Sequence, residues 1–129
     1  MLTLEKTFET WLKGDAVEIG TIQALMGEPL SDSMPVLIRQ VTLIEAWQAR
    51  LVNLLADANA FLDLAEYREI MTIDRDLTSL ERGVTLKAKV VGERRIRDNI
   101  QGLYDVVHNR IILAQSLIKR QSQETNRHA

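Results

Sequence analysis

The sequence predicts an all-α protein, an antiparallel hairpin of two long helices with a short N-terminal helical segment packed on it. Apolar residues recur three or four positions apart through most of the chain, and this is the spacing of one helical face. The two prolines, Pro29 and Pro35, lie close together before the long repeats, so no proline interrupts those repeats. One domain is therefore expected over residues 1–129, a length that can bury a modest core.

Residues 1–32 are expected to form two short helices and a loop. The first helix, over residues 4–12, carries its apolar side chains on one face and is followed by a Lys-Gly pair typical of a helix end. The second begins at Asp15 or Glu18 and ends near Met26, after which glycine, proline and serine cluster as in a loop.

The two tryptophans are expected to anchor the core. Trp11 and Trp47 each lie on an apolar helical face, and core packing is favoured over a partner-binding role. They are expected to pack on each other and so to fold the N-terminal segment back onto the hairpin.

The first long helix is predicted over about Met34 to Ile70. Ser33 can cap its N-terminus, and Pro35 lies in its first turn, where a missing N–H costs no hydrogen bond. Gln48 interrupts the second position of a seven-residue apolar repeat that predicts packing on another helix. The two positions of this repeat hold Leu37, Ile44, Leu51, Ala58 and Ala65, and Val41, Leu55 and Leu62.

A turn near Thr72 is expected to separate this helix from a second long helix over about Leu77 to Lys119. The apolar repeat of the second helix loses phase near Gly92–Gly102, and glycine weakens a helix, so a bend is expected there. The hairpin is thus assigned to residues 33–123, and the polar residues 124–129 are expected to fray.

The second long helix also predicts self-association. A helix of forty-odd residues is about 60 Å long, and the rest of the chain offers too little material to cover its apolar stripe. Part of the stripe should therefore contact a second copy of the chain. The predicted oligomer interface lies on the C-terminal helix and consists of Leu103, Val107, Ile111, Ala114 and Ile118.

The composition argues against an enzyme. The chain has no cysteine, so disulfides, zinc–thiolate sites and thiol catalysis are excluded. His108 is interpreted as a partly exposed helix histidine, and His128 is far from it in sequence. Helical di-iron sites use Glu-x-x-His pairs, and the chain has none. No catalytic residue, no metal-binding or cofactor-binding residue and no cofactor are predicted.

The N-terminal residues predict a cytoplasmic location. Charged residues interrupt the apolar ones in residues 1–13, unlike the hydrophobic region of a signal peptide. No uninterrupted apolar stretch reaches the roughly 18 residues that indicate a membrane span. A membrane is therefore not expected among the partners.

Charge is distributed unevenly along the chain. Residues 1–63 carry a net charge of −5, whereas residues 64–129 carry +3. The basic residues are densest in the predicted second helix, where Glu93 is the one acidic residue among them. Such a cluster attracts nucleic-acid phosphates, but it could equally pair with the acidic half or face water. The candidate nucleic-acid-binding residues are Lys87, Lys89, Arg94, Arg95 and Arg97.

Several short motifs resemble, in order, those of the UvsY-type recombination mediators of tailed phages. They span nearly the whole chain: Thr10-Trp11-Leu12-Lys13-Gly14-Asp15 with Ile19, Glu28 and Pro29, Met34-Pro35-Val36-Leu37, Asp74-Arg75-Asp76, and Val106-Val107-His108-Asn109-Arg110-Ile111 with Leu117-Ile118-Lys119. The resemblance implies a ring-like homo-oligomer formed through the C-terminal helix. It implies binding to single-stranded DNA and to a RecA-like recombinase, which is loaded in place of single-strand-binding protein during recombination and repair.

One segment departs from this family. The end of the first long helix tends to be basic and aromatic in UvsY-type proteins, whereas residues 59–69 here contain three carboxylates and only Arg68 as a base. DNA contact is therefore assigned to Lys87–Arg97 instead. The alternative function is a non-enzymatic phage structural or assembly adaptor acting through helix–helix contacts. A phage-encoded protein of either kind would work in the host cytoplasm.

Overall fold

The computed structural model describes residues 6–127, so the predicted helix start at Leu4 lies outside the described residues. Within this range the chain is all-α and contains no strand, as the sequence predicts. The helices are α1 (Phe8–Lys13), a single 3-10 turn (Asp15–Val17), α2 (Glu18–Met26), α3 (Met34–Thr72), α4 (Ser79–Lys89) and α5 (Val91–Arg127). No helix in this range is both long enough and apolar enough to cross a bilayer.

Threonine side chains begin α1 and α4. The Thr7 hydroxyl accepts a hydrogen bond from the Thr10 N–H at 3.3 Å, which satisfies one free donor of the first turn of α1. Thr78 plays the same part for α4 by accepting from the Glu81 N–H at 3.2 Å. Its hydroxyl also donates to the Glu81 carboxylate at 2.9 Å, so the first turn of α4 holds a backbone cap and a side-chain hydrogen bond.

The predicted second long helix is two helices, because the chain leaves helical geometry at Val90. This residue has φ −107° and ψ 17°, and its side chain is fully buried. Its carbonyl accepts from the Arg94 N–H at 3.0 Å, so Val90 also begins α5. The bend or weak point expected near Gly92–Gly102 corresponds to this break two residues before Gly92, and α5 continues as one helix from Val91 onward.

The C-terminal end is more helical than expected. The helix α5 continues to Arg127, well past Lys119, and includes most of the segment predicted to fray. Residues 128–129 lie outside the described residues. The residues at this end are polar and form no apolar stripe, but several of them are good helix formers. Adding such residues to an existing helix costs little free energy.

The chain divides into two compact units. Unit 1 contains residues up to Ala16 together with Asn53–Gln101, and unit 2 contains Val17–Val52 together with the residues from Gly102 onward. A segment of α3 and a segment of α5 lie in each unit, and the two long helices pack against each other as the predicted hairpin requires.

Unit 2 shows the antiparallel direction of this packing. Leu37 and Val41 from α3 form a buried cluster with Ala114 from α5. Further along α3, the Gln48 amide lies 3.4 Å from the His108 Nδ1 atom. Residue numbers thus rise along α3 as they fall along α5. Leu30, Leu117 and Ile118 are partly buried against the cluster.

Unit 1 is built on an aromatic cluster. The Trp11 ring lies 6.1 Å from the Phe8 ring and 5.3 Å from the Phe61 ring, and its Nε1–H donates to the Asp57 carboxylate at 3.1 Å. These contacts hold α1 on α3, so the N-terminal segment packs on the hairpin as predicted. Within the described residues the ring partners of Trp11 are Phe8 and Phe61 and not the expected Trp47, which is only partly buried.

The buried seam of α3 follows the predicted repeat through its first half and then shifts. Most residues of the predicted repeat are buried, but Leu55 and Ala65 are only partly buried. Leu54 and Phe61, which are not part of the predicted repeat, are buried instead. In this second half α1 also packs on α3, because the Phe61 ring contacts the rings of Phe8 and Trp11.

The buried seam predicts that truncating two neighbouring residues of α3 will affect the stability of the chain very differently. We expect Leu51→Ala, which empties a fully buried position, to lower the free energy of unfolding by about 2 to 5 kcal/mol. The control is Val52→Ala on the exposed side of the same turn, where the change should stay within about 0.5 kcal/mol. Urea unfolding followed by circular dichroism measures both. Equal losses for the two variants would contradict the assigned seam.

Candidate nucleic-acid interface

Three of the five predicted cations are exposed around the junction between α4 and α5. Lys87 and Lys89 lie in the last turn of α4, where the helix dipole favours positive charge, and Arg95 lies just beyond Val90. None of the three forms an ion pair in the part of the chain that the structure describes. Their side chains are therefore available to an external anion.

The other two predicted cations have partners within unit 1. Arg94 forms an ion pair with Glu66 at 3.3 Å, both side chains are about two-thirds covered (34% and 32% exposed), and the Arg94 Nε is buried without a hydrogen-bond partner. Arg97 donates from Nε to the adjacent Asp98 carboxylate at 2.8 Å. Arg94 thus joins α5 to α3, and its first contribution is to the packing of this unit.

A second feature of unit 1 escaped the sequence analysis. A cleft of about 210 Å³ is lined by both phenylalanines, Phe8 and Phe61, and by the cations Lys6 and Arg68, with Glu93 on its wall. Lys6 is already paired with Asp15 at 3.0 Å, so the cleft carries little free positive charge. The one signal for this cleft in the sequence is the position of Phe8, three residues from Trp11 on the same helical face; Phe61 lies outside the predicted apolar repeat.

The five residues predicted to form an oligomer interface lie in the core of unit 2. Leu103, Val107, Ile111 and Ala114 are buried within the single chain, and Ile118 is partly buried against the same core. The assignment of this stripe to a second copy is corrected, because α3 covers it. A copy could use the stripe only by displacing α3. Self-association itself stays a prediction.

Three further polar residues singled out by type or position have contacts within the chain. His108 is exposed and its ring stacks on Tyr104 with centroids 6.2 Å apart. The Asp74 carboxylate accepts from the Asp76 N–H at 2.9 Å and orders the loop before α4. Arg110 donates to the Glu28 carbonyl within unit 2. No group of three acidic, histidine or cysteine side chains that could hold a metal ion occurs in residues 6–127.

No family model, curated protein or solved structure matches this chain. The resemblance to UvsY-type mediators therefore rests on the short motifs alone, and the fold rests on the helices and contacts given above.

The different surroundings of two adjacent arginines predict different effects on stability. Arg94→Glu places a second carboxylate beside Glu66 in a partly buried position, and we expect it to destabilise the chain by about 1 to 2 kcal/mol. The matched control is Arg95→Glu, which makes the same charge change at an exposed position and should alter stability by less than about 0.5 kcal/mol. Thermal and urea unfolding measure the difference. If both variants unfold alike, the Arg94–Glu66 contact does not stabilise unit 1.

Proposed function

We propose that this chain is a non-enzymatic, oligomeric recombination mediator that binds single-stranded DNA and assists the loading of a RecA-like recombinase against single-strand-binding protein. It would act in DNA recombination and repair, in the cytoplasm of the host cell if a phage encodes it. The observation that carries the proposal is the group of three unpaired, exposed cations, Lys87, Lys89 and Arg95, at the α4–α5 junction.

These cations suit contact with a nucleic-acid backbone. Phosphates are neutralised by exposed lysine and arginine side chains, and the release of counterions drives binding without regard to sequence. Neither tyrosine lies in the Lys87–Arg97 segment, so stacking on bases is not expected at the junction itself. The interaction should therefore depend strongly on salt.

Three cations on one chain form a weak site, and an oligomer would strengthen it. When several copies hold one strand, each further contact forms at a high effective concentration and the strand dissociates slowly. A chain of net charge −2 could then retain DNA that a single copy would release. The resemblance to UvsY-type mediators supports the same combination of weak sites and self-association.

A specific observation also favours the alternative function of a helical structural or assembly adaptor. In α4 the side chains of Leu80 and Val84 are exposed, which is the arrangement expected of a helix that docks on another protein. In this alternative the junction cations would contact an acidic protein surface and not DNA.

Charge reversal at the junction tests the proposal. We expect the triple variant Lys87→Glu, Lys89→Glu and Arg95→Glu to weaken binding of a fluorescent single-stranded oligonucleotide by at least roughly tenfold at low salt, because each lost phosphate contact removes counterion release. For the unaltered chain, affinity should fall by at least roughly tenfold between 50 and 200 mM salt. Fluorescence anisotropy measures both.

The control carries the same change of net charge at exposed positions elsewhere, through Arg39→Glu, Lys119→Glu and Arg120→Glu. It should bind DNA within about twofold of the unaltered chain, since its junction is intact. Unchanged helicity by circular dichroism must accompany each result. Equal losses in both triple variants would assign the effect to net charge alone, and absence of any salt-sensitive binding would favour the adaptor.

A further inference from the structure

A cleft of about 360 Å³ lies within unit 1, between the end of α3 and one side of α4. We call it the α3–α4 cleft. The residues that line it are Ile70, Ile73, Arg75, Arg82, Gly83 and Leu86. An aliphatic wall with a few polar groups at its edge is typical of ligand pockets, whose volumes run from about 300 to 1,000 Å³.

The two arginines of the α3–α4 cleft are prepared to bind an anionic group. Arg75 and Arg82 are exposed, and neither forms an ion pair within residues 6–127. The Arg82 Nε donates to the Leu77 carbonyl at 3.0 Å, which holds the guanidinium group in place while its two Nη atoms make no hydrogen bond in the same range. A guanidinium group binds a carboxylate through two parallel N–H bonds, and fixing it beforehand lowers the entropic cost of binding.

Gly83 keeps the cleft open. Glycine weakens the interior of a helix relative to alanine, so its presence in α4 needs a reason. A Cβ atom at this position would meet no other atom within 4 Å, and no glycine among residues 6–127 has a positive φ. Neither close packing nor backbone geometry therefore requires glycine here. A larger side chain would instead extend into the cleft that Gly83 lines.

We propose that the α3–α4 cleft binds a short segment of a partner protein in which an aspartate or glutamate adjoins apolar side chains. Arg75 and Arg82 bind the carboxylate by charge-assisted hydrogen bonds. An apolar side chain of the segment covers the aliphatic wall, where Ile70 is 57% exposed. This inference goes beyond DNA binding and does not rest on it, since none of the three junction cations lines the cleft.

The surroundings of the cleft favour a protein segment over a nucleic-acid strand. Asp74, Asp76 and Glu81 are exposed beside the two arginines, so residues 74–82 carry a net charge of −1. A chain of phosphates would be repelled by these carboxylates, whereas a single carboxylate gains direct contact with the guanidinium groups. None of the described residues that line the cleft is aromatic, although bases usually bind by stacking on aromatic rings.

Selection of peptides tests the chemistry of the ligand. A phage-displayed library of random heptapeptides is selected on the immobilised full chain, and the enriched peptides are synthesised with a fluorescent label. We expect them to carry a carboxylate next to leucine, isoleucine or valine. We expect Arg75→Glu combined with Arg82→Glu to weaken their binding by at least roughly tenfold in fluorescence anisotropy, because two attractive contacts become repulsive. The control, Arg39→Glu combined with Arg120→Glu, makes the same change of net charge at exposed positions outside the cleft and should bind within about twofold of the unaltered chain.

A second variant pair blocks the cleft without changing its charge. Gly83→Leu should fill the cleft and weaken peptide binding by at least roughly tenfold, because the apolar part of the peptide then meets a steric clash. Gly102→Leu is the matched control, since a Cβ atom at that position of α5 also meets nothing within 4 Å. Leucine is a better helix former than glycine, so both variants should keep their helicity in circular dichroism.

Several results would overturn the proposal. These are a selection that enriches no peptide, enriched peptides without a carboxylate, and peptides that bind the cleft variants as tightly as the unaltered chain. A wild-type dimer that Gly83→Leu dissociates would assign the cleft to a second copy instead.

A single-stranded oligonucleotide serves as the second probe, and it separates this inference from the proposed function. We expect Arg75→Glu combined with Arg82→Glu to affect DNA binding no more than the Arg39 and Arg120 control does, and we expect the triple junction variant to retain peptide binding. A larger loss of DNA binding in the cleft variant, without selected peptides, would assign the cleft to nucleic acid and reject a protein partner.

Discussion

The packing of α3 against α5 is the constraint on which the rest of the structure depends. Leu37 and Val41 from α3 share a buried cluster with Ala114 from α5 in unit 2, and Glu66 holds Arg94 in unit 1. A helix as long as α3 or α5 would expose its apolar stripe if it stood alone, and in proteins most of the stability of a helix comes from packing such a stripe. Each helix supplies the surface that the other needs.

This packing decides which surfaces remain for partners. Since α3 covers the apolar stripe of α5, that stripe is a core and not a docking surface. Near the hairpin turn, exposed apolar side chains lie on both α3 and α4, with Tyr67, Ile70 and Met71 on the first and Leu80 and Val84 on the second.

The junction at Val90 links packing to charge. The helix α4 ends and α5 begins at the buried residue Val90, so the basic residues are divided between two helices. Lys87 and Lys89 end α4, while the first arginine of α5 turns toward Glu66. A linear count of charge gives +4 over this segment, but within residues 6–127 two of its five cations are paired with carboxylates and three form no ion pair.

The sequence by itself determined the fold class, the position of the hairpin turn and most of the seam, because periodicity of apolar residues is a local property that the helix repeat converts directly into a buried face. It also located α2 and the start of α3, where glycine, proline and serine mark the loop. Only the tertiary structure decided the break at Val90, the aromatic partners of Trp11 and the loss of Arg94 from the free cations. The Arg94–Glu66 and Trp11–Phe61 contacts join residues more than twenty positions apart, and the burial of Val90 depends on the folded chain. The spacing of apolar residues along the sequence predicts none of the three.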